Sequence, residues 1–166
     1  MGKTISTSFT LSDAALRGAL GEIQRNFVDY CLTSAGLAIG SGSKKKVLIA
    51  NTVYASIDGA LAKKTTAEIT LTTANNVANA KFNVIVLSMD ASGTVTPTNG
   101  TEAATLGAVV FPTVPEDEVV LGFVIINPTG TGGFVGGTTD LDDATVAPNA
   151  VYVNSIAPFN MNILAL

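Results

Sequence analysis

Two runs in this chain, Phe82 to Met89 and Val119 to Ile126, are apolar at nearly every position rather than at alternate ones. A strand with one face in water alternates, so runs like these need cover on both faces. The chain therefore has to place them inside a layered structure. Its composition makes that cover hard to find. Of its 166 residues 13% are charged and 47% hydrophobic, whereas an ordinary soluble domain is roughly 25% charged. Part of the cover is expected to come from neighbouring subunits.

The surroundings of these runs read as β-structure. Val47 to Ile57 is rich in β-branched and aromatic residues, and Asp58-Gly59 behind it is a hairpin-turn signal. Thr65 to Thr73 alternates, with Ala67, Ile69 and Leu71 set against Thr66, Glu68, Thr70 and Thr72. Ser92-Gly93 reads as a turn with a short return over Thr94 to Thr96. Ala103 to Phe111 reads equally as a helical turn or a strand, ended by Pro112 and Pro115. Asn127 to Gly130 turns the chain so that Phe134-Val135 returns antiparallel, and Val151 to Val153 reads as a last strand. Short strands joined by Gly, Pro and Asn turns predict a mainly β fold: an antiparallel sandwich or barrel-like domain with an N-terminal helix or arm.

The N-terminal section has a different texture. Thr4 to Thr10 alternates weakly, and Ser12-Asp13 offers a helix N-cap. Leu16, Leu20, Ile23, Phe27 and Cys31 then follow at spacings of three and four, one stripe of a helix, with Arg25 and Asp29 as an i,i+4 pair. Gly18 and Gly21 each cost such a helix roughly 1 kcal/mol relative to Ala, so it depends on packing against something. Gly36 to Ser43 reads as a flexible break. The chain accordingly divides into an arm over residues 1–43 and a β-rich domain over 44–166 with an apolar tail. Leu16, Leu20, Ile23 and Phe27 in the arm, with Phe159, Met161, Ile163 and Leu164 in the tail, are the candidate contact surfaces. Packing within the same subunit is the competing reading for all eight.

The same composition removes most of the side chains from which active sites are built. The chain has no His and no Trp, and one Cys. Serine triads, imidazole bases and most transition-metal sites lean on His. Cys31 lacks that partner as a nucleophile and reads as a small core residue. The acidic run Glu116-Asp117-Glu118 follows Pro115 at the entry to an apolar strand, where charge keeps the strand soluble. Asp140-Leu141-Asp142-Asp143 lacks the spacing of an EF-hand loop and reads as a turn or cap. Gly130 to Gly137 departs from G-x-G-x-x-G because Val135 stands at the third glycine, and Gly40 to Lys44 lacks the P-loop spacing. No cofactor or metal is expected.

Partners are narrowed by charge and hydropathy. A net charge of −4 opposes binding to nucleic acid. Lys44-Lys45-Lys46, the one basic run of three, reads as a solvated strand entry. The start of the chain lacks the apolar core of a secretory signal, so the expected product is soluble and not exported by the usual route. That leaves the sequon Asn99-Gly100-Thr101 without consequence. The charge-free stretches after Val119 and after Ala144 are broken by Pro and Gly, so no membrane span is expected. Sugar stacking would have only Tyr30, Tyr54 and Tyr152 to use.

The Ala/Thr/Val/Gly texture is joined by Ala35-Gly36-Leu37-Ala38-Ile39-Gly40, by Tyr54-Ala55-Ser56-Ile57-Asp58-Gly59, and by Pro115 to Val124 leading into Gly133 to Asp142. Together they resemble structural proteins of tailed-bacteriophage virions, of the head decoration (cement) and head-fibre type. The resemblance covers roughly residues 35 to 145. It implies a non-enzymatic β-rich protein, often a homotrimer, seated between capsomers on the outside of the head with the major capsid protein as its partner. A fibre or spike component that binds host surface glycans is the alternative, and an enzyme using Asp140 or Asp142 a distant third.

Overall fold

A computed structural model describes residues 29–147 and 150–156. The sequence-derived stripe Leu16, Leu20, Ile23, Phe27 and the tail residues Phe159, Met161, Ile163 and Leu164 lie outside them, as does the weak alternation at Thr4 to Thr10. The described residues are mainly β, and every strand pairing among them is antiparallel.

In chain order the first strands are β1 (Tyr30–Cys31), β2 (Leu37–Ile39), β3 (Lys46–Ile49), β4 (Val53–Ile57), β5 (Ala60–Lys64) and β6 (Ala67–Thr70). They are followed by β7 (Asn76–Val77), β8 (Asn83–Asp90), β9 (Val95–Asn99), β10 (Glu118–Ile126), β11 (Phe134–Val135) and β12 (Val151–Asn154). A short 3-10 turn, Leu106–Ala108, lies between β9 and β10. The strands form a four-stranded sheet β12-β10-β8-β9, two three-stranded sheets β1-β4-β5 and β2-β3-β6, and the small pair β11-β7. These sheets do not close into a barrel.

The two apolar runs become β8 and β10, neighbours in the middle of the four-stranded sheet. One face of β8 carries Ile85, Leu87 and Met89 into the main core, which also takes Cys31, Val47, Val53, Ile57 and Phe134 from the other sheets. The opposite face carries Val84 and Val86 into a second cluster with Val120. Val109, Phe111 and Val114, from the segment between β9 and β10, pack on that second cluster, with Phe111 edge-on to Phe123 at 5.0 Å. Cover expected from a neighbouring subunit is thus supplied by the chain itself. Each large side chain moved out of water here contributes about 1.5–3 kcal/mol.

A β-bulge reconciles the two faces along β10. The register steps from Val120↔Ser88 to Gly122↔Leu87, so Leu121 is the extra residue. Val119 and Leu121 point into the main core ahead of the step, and Val124 and Ile126 do so after it. Without an inserted residue a strand keeps one parity throughout. Gly122, at φ +151°, sits where a Cβ would overlap the Val153 carbonyl oxygen of β12.

Several local expectations change. Val47 to Ile57 is two strands in different sheets, parted at Ala50 to Thr52. Phe134-Val135 pairs with β7 rather than folding back on β10. Cys31 ends the helical stripe in sequence, yet it lies in β1, opposite Ala55. The Gly36 to Ser43 break holds β2, which pairs along its length with β3. Residues 29–43, the described part of the arm, are therefore woven into the same sheets and core as the residues that follow. Asp58-Gly59 forms the expected two-residue hairpin, joining Ile57↔Ala60 with φ of 51° and 76°.

Asn75 ties the small pair to the rest. It is buried, its side-chain Oδ1 accepts from Thr72 N at 3.0 Å, and its side-chain amide donates to Pro97 O at 3.3 Å and Asn99 Oδ1 at 3.1 Å. The Asn99 amide in turn donates to Asn76 O at 3.0 Å. Asn99 of the sequon thus serves as a structural link between β9 and β7.

Candidate functional site

Side chains that carry chemistry are tied into turns and strand entries. Asp143 Oδ1 accepts from Thr145 N at 2.8 Å, Thr145 Oγ1 at 2.7 Å and Val146 N at 3.2 Å. The Thr145 hydroxyl, followed by these N–H groups, holds the Asp143 carboxyl below its ordinary pKa. Its neighbour Leu141 is buried in the core, while Asp142 pairs with Lys44 at 2.7 Å on the surface. Leu141 N also donates to Lys44 O at 2.9 Å, so the basic run before β3 and the acidic loop clasp one another. Lys46 lies 3.8 Å from Glu68 on β6. The Glu68 carboxyl accepts from Gly42 N at 2.5 Å, and that bond is the main cause of its lowered pKa. Among the described residues no group of three or more His, Cys, Asp or Glu is placed to hold a metal ion.

Cys31 is buried, and its thiol donates to Val120 O at 3.4 Å across to the four-stranded sheet. Burial pushes its pKa up to about 12, which keeps it a thiol rather than a nucleophilic thiolate. Tyr152 on β12 is likewise raised to about 12, by burial first and by Asp142 second. Its hydroxyl has no hydrogen-bond partner among the described residues. The glycine-rich stretch Gly130 to Gly137 holds β11, with Phe134 fully buried, so it is a packed connection.

What remains open is apolar surface. On the sheet β1-β4-β5 the inward residues are Cys31, Val53, Ala55, Ile57 and Ala62. Alternation turns Tyr30, Tyr54, Ser56, Leu61 and Lys63 outward. Registers Tyr30↔Ser56↔Leu61 and Tyr54↔Lys63 set these in two cross-strand rows, and Leu32, held by its N–H to Tyr54 O at 2.8 Å, extends the second. Leu61 is 69% exposed, and Leu32 and Tyr54 are exposed as well. Lys63 Nζ stands 5.7 Å from the centre of the Tyr54 ring. The second open region is at the C-terminal end of the described chain, where Val151 and Ile156 (63% exposed) lead toward the tail.

Sequence reasoning overlooked the first of these faces. Its signal was available in the Asp58-Gly59 hairpin, whose register puts Leu61 across from Ser56 and therefore on the face opposite the buried Ala55 and Ala62. Among the described residues no helix is long and apolar enough to cross a membrane. Comparison with protein families, with curated proteins and with solved structures gave no significant match.

Proposed function

We propose that this protein is a capsid decoration (cement) protein of a tailed bacteriophage, bound to the outside of the head as a homotrimer that bridges major capsid subunits. Its sheets would pack as a sandwich-like body, and its action would be adhesive, with no catalytic step. One observation carries the reading beyond the sequence resemblance. The last described strand begins at exposed Val151, and exposed Ile156, just beyond its end at Asn154, leads into the charge-free segment holding Phe159, Met161, Ile163 and Leu164. Exposed apolar residues continuing into an apolar tail are suited to burial on another protein.

At roughly 25 cal/mol per Å² of apolar area, a few hundred Å² buried by each tail is a modest contact. Repeated around a trimer on one lattice, such contacts reinforce one another through effective concentration. The net charge of −4 disfavours contact with packaged DNA, as suits a protein bound to the outside of the head.

The test is binding of purified protein to expanded heads that lack it. The expected result is saturable binding that raises the temperature at which DNA-filled heads burst. Binding should be lost when Phe159 and Ile163 are both changed to Asp. Binding to host cells or isolated glycans, with none to heads, would instead identify a fibre or spike component.

A further inference from the structure

The outward face of β1-β4-β5 and the N-terminal segment are complementary and adjacent in the chain. The face presents Tyr30, Leu32, Tyr54 and Leu61 in two rows across three strands. With strands about 4.8 Å apart, it is roughly 10 Å wide between outer strand axes, and β4 runs about 13 Å along it. The sequence immediately before β1 carries an apolar stripe, Leu16, Leu20, Ile23 and Phe27. The twelve residues from Leu16 to Phe27 make eleven helical rises, about 17 Å in all. One helix with this stripe has the length to cover the face.

Connectivity selects the occupant. Phe27 precedes Tyr30 by three positions, and Tyr30 is itself part of the face. Links of two to six residues are the usual ones between packed neighbours, and consecutive elements are usually adjacent in space. The chain is also fixed where it enters: Asp29 Oδ1 accepts from Asp58 N at 2.6 Å, at the β4–β5 turn. A short tether gives the chain's own segment a high effective concentration over this face, which a second copy must overcome by affinity.

We infer that residues 12–27 dock as an amphipathic helix on the outer face of β1-β4-β5 of the same chain, placing Leu16, Leu20, Ile23 and Phe27 over Leu32, Tyr54 and Leu61. The two helix glycines are consistent with this, since close approach to a sheet needs small residues and packing offsets their cost. Under this assignment the N-terminal stripe is internal packing, and the C-terminal tail alone is left for partners. The inference does not depend on the capsid reading.

The test uses the full chain with Leu61→Cys and follows its reaction with a maleimide, the native Cys31 being buried. Thr66→Cys, at an exposed position of the same fold, is the reference. Labelling of Leu61→Cys is expected to be at least about tenfold slower than the reference, as for a site that reacts through local opening. The protection should be the same at all protein concentrations and should disappear when Leu20→Asp and Ile23→Asp are added. Equal rates for Leu61→Cys and Thr66→Cys would overturn the inference. So would protection that appears only as protein concentration rises, which would assign the face to a second copy. Should the double Asp variant fail to fold, Ile23→Cys with Leu61→Cys decides on oxidation: an intrachain disulfide supports docking, and an interchain one refutes it.

Discussion

The buried thiol of Cys31 gives the fold a specific alkaline weakness. Its pKa rises from 9.0 to about 12 because burial disfavours the thiolate. A group whose folded pKa is raised contributes fully below its unfolded value, and the contribution is lost as pH rises through the folded one. The window therefore opens near pH 9 and closes near pH 12. Three units at about 1.36 kcal/mol each set a ceiling of about 4 kcal/mol, and at about pH 10.5 the loss is about 2 kcal/mol. Urea unfolding between about pH 8 and pH 10.5, followed by circular dichroism, should show this loss in the native sequence. Cys31→Ala should be less stable at pH 8, through lost packing against β10, but should lose less on going to pH 10.5. Tyr152 shifts in the same direction and is present in both proteins, so the difference between the two curves isolates the thiol. Parallel curves, or a Cys31 that reacts with a maleimide below pH 9 as fast as an exposed thiol, would refute the burial argument.

Three further outcomes follow from the same geometry. Phe134→Ala should cost about 3–5 kcal/mol in urea unfolding, while Val135→Ala on the other side of β11 should stay within about 0.5 kcal/mol; equal costs would contradict the β11–β7 register. Gly122→Ala forces a Cβ onto the Val153 carbonyl and within 2.7 Å of Leu37 Cδ1. It should destabilise by about 2 kcal/mol or more and speed hydrogen exchange in Val151–Asn154; native protection there would refute the bulge assignment. In acid, Asp143, Asp90 and Glu68 all have lowered folded pKa values, so their contribution is present above the ordinary carboxylate range near pH 4 and lost as pH falls through the lower folded values. Asp143→Asn should flatten that acid limb of a thermal-melting profile, and an unchanged limb would count against the Thr145 cap.

The strongest parts of the fold were legible because they depend on patterns local to the chain. Continuous apolarity in Phe82 to Met89 and Val119 to Ile126 identified the central strands, and Asp58-Gly59 identified its hairpin through the positive φ both residues adopt. What escaped was decided by contacts distant in sequence. A two-residue strand such as Phe134-Val135 carries no period, so its pairing with β7 is set by the Phe134 core position and the Asn75 hydrogen bonds. Leu37–Ile39 sits among glycines and serines, and only its pairing with Lys46–Ile49 makes it a strand. Cys31 fits a helical spacing as well as an inward strand position, and tertiary pairing decided between them. The second cover of β8 was misassigned because Val109, Phe111 and Val114 lie among turn residues that conceal an apolar lining. The motif Asp140 to Asp143 was read as a turn or cap from its spacing, and Asp143 fills that role through Thr145 and Val146. The exposed rows on β1-β4-β5 were missed, since they emerge only when three strands are set in register.

The central claim, that this chain is a capsid decoration protein, is tested most directly by imaging assembled virions and locating its density. The account predicts regular copies on the outer surface of DNA-filled heads, seated between capsomers, with the C-terminal tail against the major capsid protein. Density confined to the tail tip, or a chain that stays in free solution with no particle association, would contradict it.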